Sequence, residues 1–275
     1  MPELPEVETV ARGLHKRLSG RTISAVDVRW ERSIRAPDPA AFARRLVGQT
    51  VGGVRRRGKW IVICLDSEDA LLVHLRMTGQ LLLENAGEPD GDYTRVVLQL
   101  DNGERLRFSD MRKFGRLILT EDVDDVLGDL GPEPLSDDFT AERFRRMLAG
   151  RRGRIKSLLL DQRFVAGLGN IYVNEALWQA WIHPLRCADS LSPAEASRLH
   201  SAIRSVLQAA INAGGSTLAN GNFRQADGTA GEFARELQVY DCEGEPCACC
   251  GASVERISVG QRGTFFCPCC QEATD

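Results

Sequence analysis

Arg95-Val96-Val97-Leu98-Gln99-Leu100-Asp101-Asn102-Gly103-Glu104-Arg105-Leu106-Arg107-Phe108 reads as two strands around a tight turn. Asn-Gly accepts the positive φ that a two-residue hairpin needs, so Asp101-Asn102-Gly103 folds the chain back on itself. Upstream, Trp60-Ile61-Val62-Ile63-Cys64-Leu65 and Ala70-Leu71-Leu72-Val73-His74-Leu75 are short apolar runs of strand length. Downstream, residues 116–120 extend the same sheet. Before all of these, Pro5 suits a first helical turn and Glu6 and Glu8 suit the positive end of its dipole. Val7, Val10, Ala11, Leu14 and Leu18 mark one apolar face. Residues 1–130 therefore read as a largely antiparallel β domain with a flanking helix.

Past Gly131-Pro132-Glu133-Pro134-Leu135-Ser136, a linker by composition, the periodicity becomes helical. Residues 141–149, 154–161, 170–181 and 192–213 fit helices. The last opens with the capping box Ser192-Pro193-Ala194-Glu195 and stops at Gly214-Gly215. Residues 214–233 carry little periodic signal, and a loop of that length is functional or disordered. The chain thus divides into 1–130, 131–236 and 237–275.

The 275 residues carry a formal net charge of −3, which taken alone disfavours a nucleic-acid partner. The signs, however, are separated. Arg55, Arg56, Arg57 and Lys59 form one basic cluster, and Arg143, Arg145, Arg146, Arg151, Arg152, Arg154 and Lys156 form a denser one. Such clusters are either solvated faces or the field that a polyanion meets. No run approaches the roughly 20 apolar residues of a membrane span. The acidic, proline-punctuated start is no signal peptide. A cytoplasmic protein without membrane contact is expected.

Seven of the nine cysteines lie between Cys242 and Cys270. Cys247-x2-Cys250, sixteen residues, then Cys267-x2-Cys270 is the spacing of two thiolate turns that complete a closed tetrahedral zinc site. A closed site keeps no position for water, so the Zn2+ is structural. Cys249 and Cys269 could compete as ligands, with poorer spacing. Between the turns stands Arg262, a phosphate ligand or a solvated surface residue. Gly167-Leu168-Gly169-Asn170 separates two helices and on its own says only helix, turn, helix. At the other end, removal of Met1 would expose the secondary amine of Pro2. An α-amine has a pKa near 8, so a useful fraction is unprotonated at neutral pH. With Glu3 and Glu6 as acid or base beside it, that amine could attack a sugar C1′. The plainer reading is a helix start with acidic residues in its first turn.

Taken together these segments resemble the bacterial formamidopyrimidine-DNA glycosylases. The resemblance rests on residues 2–10, His74-Leu75-Arg76-Met77-Thr78-Gly79, Asp110-Met111-Arg112-Lys113-Phe114-Gly115, residues 130–135, Gly167-Leu168-Gly169-Asn170-Ile171-Tyr172 and the four-cysteine ribbon. It implies an α+β fold: an N-terminal antiparallel β-sandwich with flanking helices, a C-terminal helix–two-turn–helix domain and a zinc β-hairpin. It implies a monomer acting on damaged double-stranded DNA, excising oxidised purines and then nicking the abasic site. By the same resemblance Pro2 is the nucleophile and Glu3 the acid that opens the deoxyribose, with Glu6 in support. Lys59 would act as acid and phosphate contact, and Arg262 in phosphate binding and elimination. Asn170, Lys156, Tyr240, His74, Arg151 and Arg154 would hold the DNA backbone, and 214–233 would recognise the lesion, closing over a bound base. Met77, Arg112 and Phe114 would fill the hole left by an extruded base. Where relatives carry His before the strand near Arg95, this chain has Tyr93, whose phenol can still donate to phosphate. Thr78 stands at a position that varies. A sister family that prefers oxidised pyrimidines, and a non-enzymatic zinc-ribbon DNA binder, are the competing readings.

Overall fold

A computed structural model describes residues 2–218 and 221–273. The chain forms two compact units, one holding the residues up to Asp129 together with Ile211–Ala234, the other Leu130–Ala210 and the residues from Arg235 on.

The first unit opens with α1 (Leu4–Leu18), followed by β1 (Ile23–Val28), β2 (Ile34–Ala36), α2 (Pro39–Leu46) and β3 (Val51–Arg57). Then come β4 (Trp60–Leu65), β5 (Ala70–His74), β6 (Gly79–Asn85), β7 (Thr94–Leu100), β8 (Glu104–Asp110), β9 (Arg116–Thr120) and the single turn α3 (Asp124–Leu127). The strands make two sheets, ordered β1-β7-β8-β6 and β2-β9-β5-β4-β3. Every pairing is antiparallel except β2 with β9. The Asn-Gly hairpin forms between β7 and β8. Gly103 takes φ +79 and the Asn102 carboxamide accepts the Glu104 N–H.

One apolar core joins the inward faces of both sheets to α1. Val96, Leu98, Leu106 and Phe108 from one sheet pack with Ile61, Ile63, Leu71, Val73, Leu117 and Leu119 from the other, and with Val7, Val10, Leu14 and Leu18. Alternate positions of each strand face this core, Val96 and Leu98 of β7 and Leu71 and Val73 of β5 among them, while β5 is buried on its other face as well. α2 is set by Asp38, whose carboxylate accepts the N–H groups of Ala40 and Ala41, with Pro39 in the first turn and Phe42 and Leu46 buried.

The second unit contains α4 (Ala141–Leu148), α5 (Ile155–Leu160), α6 (Asn170–Gln179), the greater part of α7 (Pro193–Asn212) and the hairpin β10 (Glu255–Val259)–β11 (Arg262–Phe266). The segment that reads as a linker is packed, not loose. Pro132 O accepts the Ala166 N–H, the carbonyls of Pro134 and Ser136 accept from Arg204, and a Cβ on Gly131 would lie 2.6 Å from the Arg163 carbonyl. Among the described residues no helix is long and apolar enough to cross a membrane.

Candidate functional site

Within the first unit the chemistry-bearing residues gather at the start of α1. Pro2 is buried, and Glu3 caps the helix. Met1 lies outside the described residues. A capping box locks the turn: the Glu3 side chain accepts the Glu6 N–H, and Glu6 Oε2 accepts the Glu3 N–H at 2.8 Å. The second oxygen of Glu6 accepts the Ser216 N–H at 2.7 Å. Glu6 therefore fixes both the backbone around Pro2 and the beginning of the 214–233 segment. That segment is tied down further along, where Phe223 and Ala226 enter the core and the carbonyls of Ala226 and Asn222 accept from Leu83 N–H and Gln80. Its residues 219 and 220 lie outside the described residues.

One turn along α1, Glu8 accepts from Arg56 Nε at 2.7 Å, and Arg56 also donates to Gly58 O. Arg57 pairs with Trp60, so Gly58 (φ +56) and Lys59 form the two-residue turn between β3 and β4. Lys59 is buried in that turn. Trp60 pairs in turn with His74, ring edge to face at 4.8 Å. His74 Nδ1 accepts the Arg76 N–H at 3.0 Å, which leaves Nε2 as the protonated nitrogen of the neutral ring. Burial, then the charges of Arg76, Lys59 and Arg116, push the His74 pKa down to about 3.

Met77, Arg112 and Phe114 come together on two neighbouring loops. Arg112 Nη1 approaches Met77 Sδ at 3.0 Å and its guanidinium lies over the Phe114 ring, 4.8 Å from the centroid. Met77 and Phe114 are exposed by 40% and 48%, so the three side chains together present an apolar and cationic tip to solvent. The buried Asp110 carboxylate shapes the second loop, accepting from the Thr78 hydroxyl and from the N–H groups of Arg112 and Gly115. Tyr93 is exposed, with the Arg95 guanidinium 6.0 Å from its ring.

In the second unit α6 is the hub. The Gly167–Asn170 turn folds around Gln162, which accepts the Gly167 N–H and donates to Leu168 O. Asn170 Nδ2 donates to Gly263 O at 3.0 Å, just beyond Arg262 at the exposed start of β11. Glu175, buried and pushed above the ordinary carboxylate range by that burial, accepts the N–H groups of Gln238, Val239 and Tyr240. Arg151 and Arg154 are exposed just before α5. Lys156 is wholly buried, and its ammonium donates to Asn174 Oδ1, Gly263 O and Thr264 Oγ1 at 2.6–3.1 Å. An ammonium held by these acceptors braces the turn that carries Arg262.

The hairpin also carries the metal site. The sulfurs of Cys247, Cys250, Cys267 and Cys270 all lie within 4.8 Å of one another, with Cys247–Cys270 at 3.9 Å and Cys250–Cys267 at 3.4 Å. Zn–S bonds of about 2.3 Å in a tetrahedron separate the sulfurs by about 3.8 Å, so the four fit a structural zinc. Trp178 Nε1 points at Cys247 Sγ (3.4 Å), and Gln271 Oε1 accepts the Cys267 N–H. Cys249 and Cys269 are exposed and outside the four.

Three domain models match in order: the formamidopyrimidine-DNA glycosylase N-terminal domain over residues 1–117, its H2TH domain over 130–221, and the zinc finger found in FPG and IleRS over 244–273. The formamidopyrimidine-DNA glycosylase of Chloroflexus aurantiacus is 47% identical over 98% of both chains.

The chain belongs to the formamidopyrimidine-DNA glycosylase family.

Its fold is that of family members solved on DNA. Crystal structures of Lactococcus lactis FPG with a FAPY-dG containing DNA and with an abasic site containing DNA superpose with TM-scores of 0.90 and 0.92. Each is 38% identical and covers 98% of this chain and 100% of the other. The sequence alone does not single out Gln162, Asn174 and Glu175, which hold the site together, nor does it assign Arg56 and Asp110 their supporting contacts. Asn174 and Glu175 had left a trace, being polar positions inside an otherwise apolar helix.

Proposed function

We propose that this chain removes oxidised purines, 8-oxoguanine and formamidopyrimidines, from duplex DNA and then nicks the resulting abasic site. The observation that carries this reading is the locked N-terminal turn, in which Glu3 and Glu6 hold each other's backbone and fix Pro2 at the head of α1. The relatives' FAPY-dG and abasic-site complexes support the same substrate class.

With Met1 removed, the Pro2 nitrogen attacks C1′ and the bond from C1′ to the base breaks, the base leaving with a proton. Glu3 protonates the sugar ring oxygen, the ring opens, and nitrogen and C1′ become an iminium. That cation acidifies C2′. Loss of a C2′ proton expels the 3′-phosphate, a second elimination expels the 5′-phosphate, and hydrolysis frees Pro2. Lys59 and Arg262 supply positive charge to the departing phosphates. His74, Tyr93, Arg151, Arg154, Asn170 and Tyr240 hold the backbone, while Met77, Arg112 and Phe114 replace the extruded base. We assign catalysis to residues 1–130, backbone binding to 131–236 with recognition by 214–233, and the zinc finger to 237–275, acting as a monomer in the cytoplasm.

Borohydride in the reaction with an 8-oxoguanine duplex tests this. A reduced protein–DNA adduct should form, and peptide mapping should place the DNA on Pro2. Attachment to Lys59 or any other residue would overturn the mechanism. Faster excision of thymine glycol than of 8-oxoguanine would favour the pyrimidine-specific alternative.

A further inference from the structure

One end of the five-stranded sheet gathers positive charge for which the described residues show no counter-ion. Arg116 pairs across β5–β9 with His74, and Arg35 lies on β2 between Ile34 and Ala36, which pair with Leu117 and Ile118 of β9. Arg76 follows two residues after His74 in a left-handed conformation, φ +56, uncommon for a side chain of its size. Burial, together with the charges of Arg116 and Arg35, holds the Arg76 guanidinium below its usual range. The Nε atoms of Arg76 and Arg116 are buried with no hydrogen-bond partner among the described residues.

Other arginines of this unit are handled differently. Arg105 and Arg107 share Glu84, Arg45 meets Asp69 and Glu121, and Arg29 meets Asp27 and Asp90. Crowded like charges, with Arg76 and Arg116 partly desolvated and Arg35 exposed beside them, raise the free energy of the fold, and an external anion would offset that cost. Guanidinium forks match phosphate oxygens.

We propose that Arg35, Arg76 and Arg116 form a phosphate-binding subsite that grips the DNA backbone beside the Lys59–His74 end of the sheet. The proposal rests on the DNA-directed reading above and extends it by three residues. A polymer is favoured over a free anion because the three cations are spread over β2, β9 and the turn after β5, at the same end of the sheet as Lys59.

The test is the salt dependence of affinity for a duplex carrying an uncleavable abasic analogue. Each of Arg35→Gln, Arg76→Gln and Arg116→Gln should flatten the slope of log affinity against log salt by about 0.9, one phosphate contact. The melting temperature of the free Arg76→Gln and Arg116→Gln proteins should stay level or rise, because a repelling charge is gone. Arg107→Gln, which removes a carboxylate-paired guanidinium, should keep the parental slope. Parental slopes in all three variants would overturn the subsite, and a lowered melting temperature with a parental slope would make the guanidiniums merely structural. Inorganic phosphate that stabilises the parent but not Arg116→Gln, with DNA slopes unchanged, would assign the site to a free anion and overturn the DNA assignment. A parent with no salt-dependent affinity for DNA would refute the proposed function itself, an outcome distinct from failure of the subsite.

Discussion

At the scale of single residues, Glu6 and His74 show how much local structure one side chain can carry. Glu6 is 1% exposed, and its two oxygens accept from Glu3 N–H and Ser216 N–H. Glutamine is nearly isosteric but has one oxygen, so its NH2 would face a backbone donor. Glu6→Gln should therefore cost about 1–3 kcal/mol, read as a lowered urea midpoint, and should loosen Pro2 and residue 216 together. A parental midpoint would mean that the capping box contributes nothing. His74 sets the acid limit. Its folded pKa, about 3, lies below its unfolded value of about 6.5, so it is neutral in the fold where the unfolded chain takes up a proton. Its contribution is intact above pH 6.5 and is lost progressively as pH falls towards 3, at up to ~1.4 kcal/mol per pH unit. Urea titrations between pH 7 and 4.5 should give a steeper acid loss for the parent than for His74→Gln. Equal slopes would remove His74 from the account.

At the scale of elements, the loop from Asp110 to Gly115 presents Arg112 and Phe114 because nothing can stand where Gly115 is. A Cβ there would lie 2.3 Å from the Phe108 ring and 3.1 Å from the Asp110 carboxylate. Gly115→Ala should displace the loop, weakening excision of a paired lesion more than cleavage of a ready-made abasic site, which has no base to extrude. Equal losses on the two substrates would show that the loop acts on folding alone. The same scale explains what was legible in the sequence. β4, β5, β7, β8 and β9 announce themselves by apolar runs and by Asn102-Gly103, and α7 by its capping box. β3 does not, because Gly52-Gly53 and Arg55-Arg56-Arg57 hide a strand whose partners, α1 and β4, supply its order. β1 and β6 were silent because their pairing to distant strands is set by tertiary packing rather than by a local turn. Of the site, the motifs stand out by their spacing, whereas the burial of Lys156 does not: charge in a sequence does not reveal that an ammonium has a carbonyl, a hydroxyl and an amide oxygen waiting inside the fold.

At the scale of the whole molecule, the two units should respond separately to loss of zinc. The apolar core of the first unit draws on α1, both sheets and the 223–226 segment, and includes none of the cysteine turns. In the second unit the ribbon and the helices are continuous. Cys247 and Cys267 pack with Val239, Val254 and Phe265 against Trp178, the indole of Trp178 reaches Cys247, and Lys156 and Asn170 both hold Gly263 O. Structural zinc supplies much of the folding free energy of such a small ribbon. Chelation, or Cys247→Ser, should therefore unravel residues 240–271 first and then release α6 and α5, which lean on them. In hydrogen exchange, amides of β10, β11 and the first turn of α6 should become faster by tenfold or more, about 1.4 kcal/mol of protection. Those of β4, β5, β7 and β8 should keep their rates. Trp178 fluorescence should change in step with zinc release, while DNA affinity falls because Arg262 has lost its frame. A uniform rise in exchange across both units would show that the molecule folds as one cooperative block. Protected β10 and β11 amides after complete zinc loss would show that the hairpin is held by its apolar packing alone, and the zinc would then have no structural role.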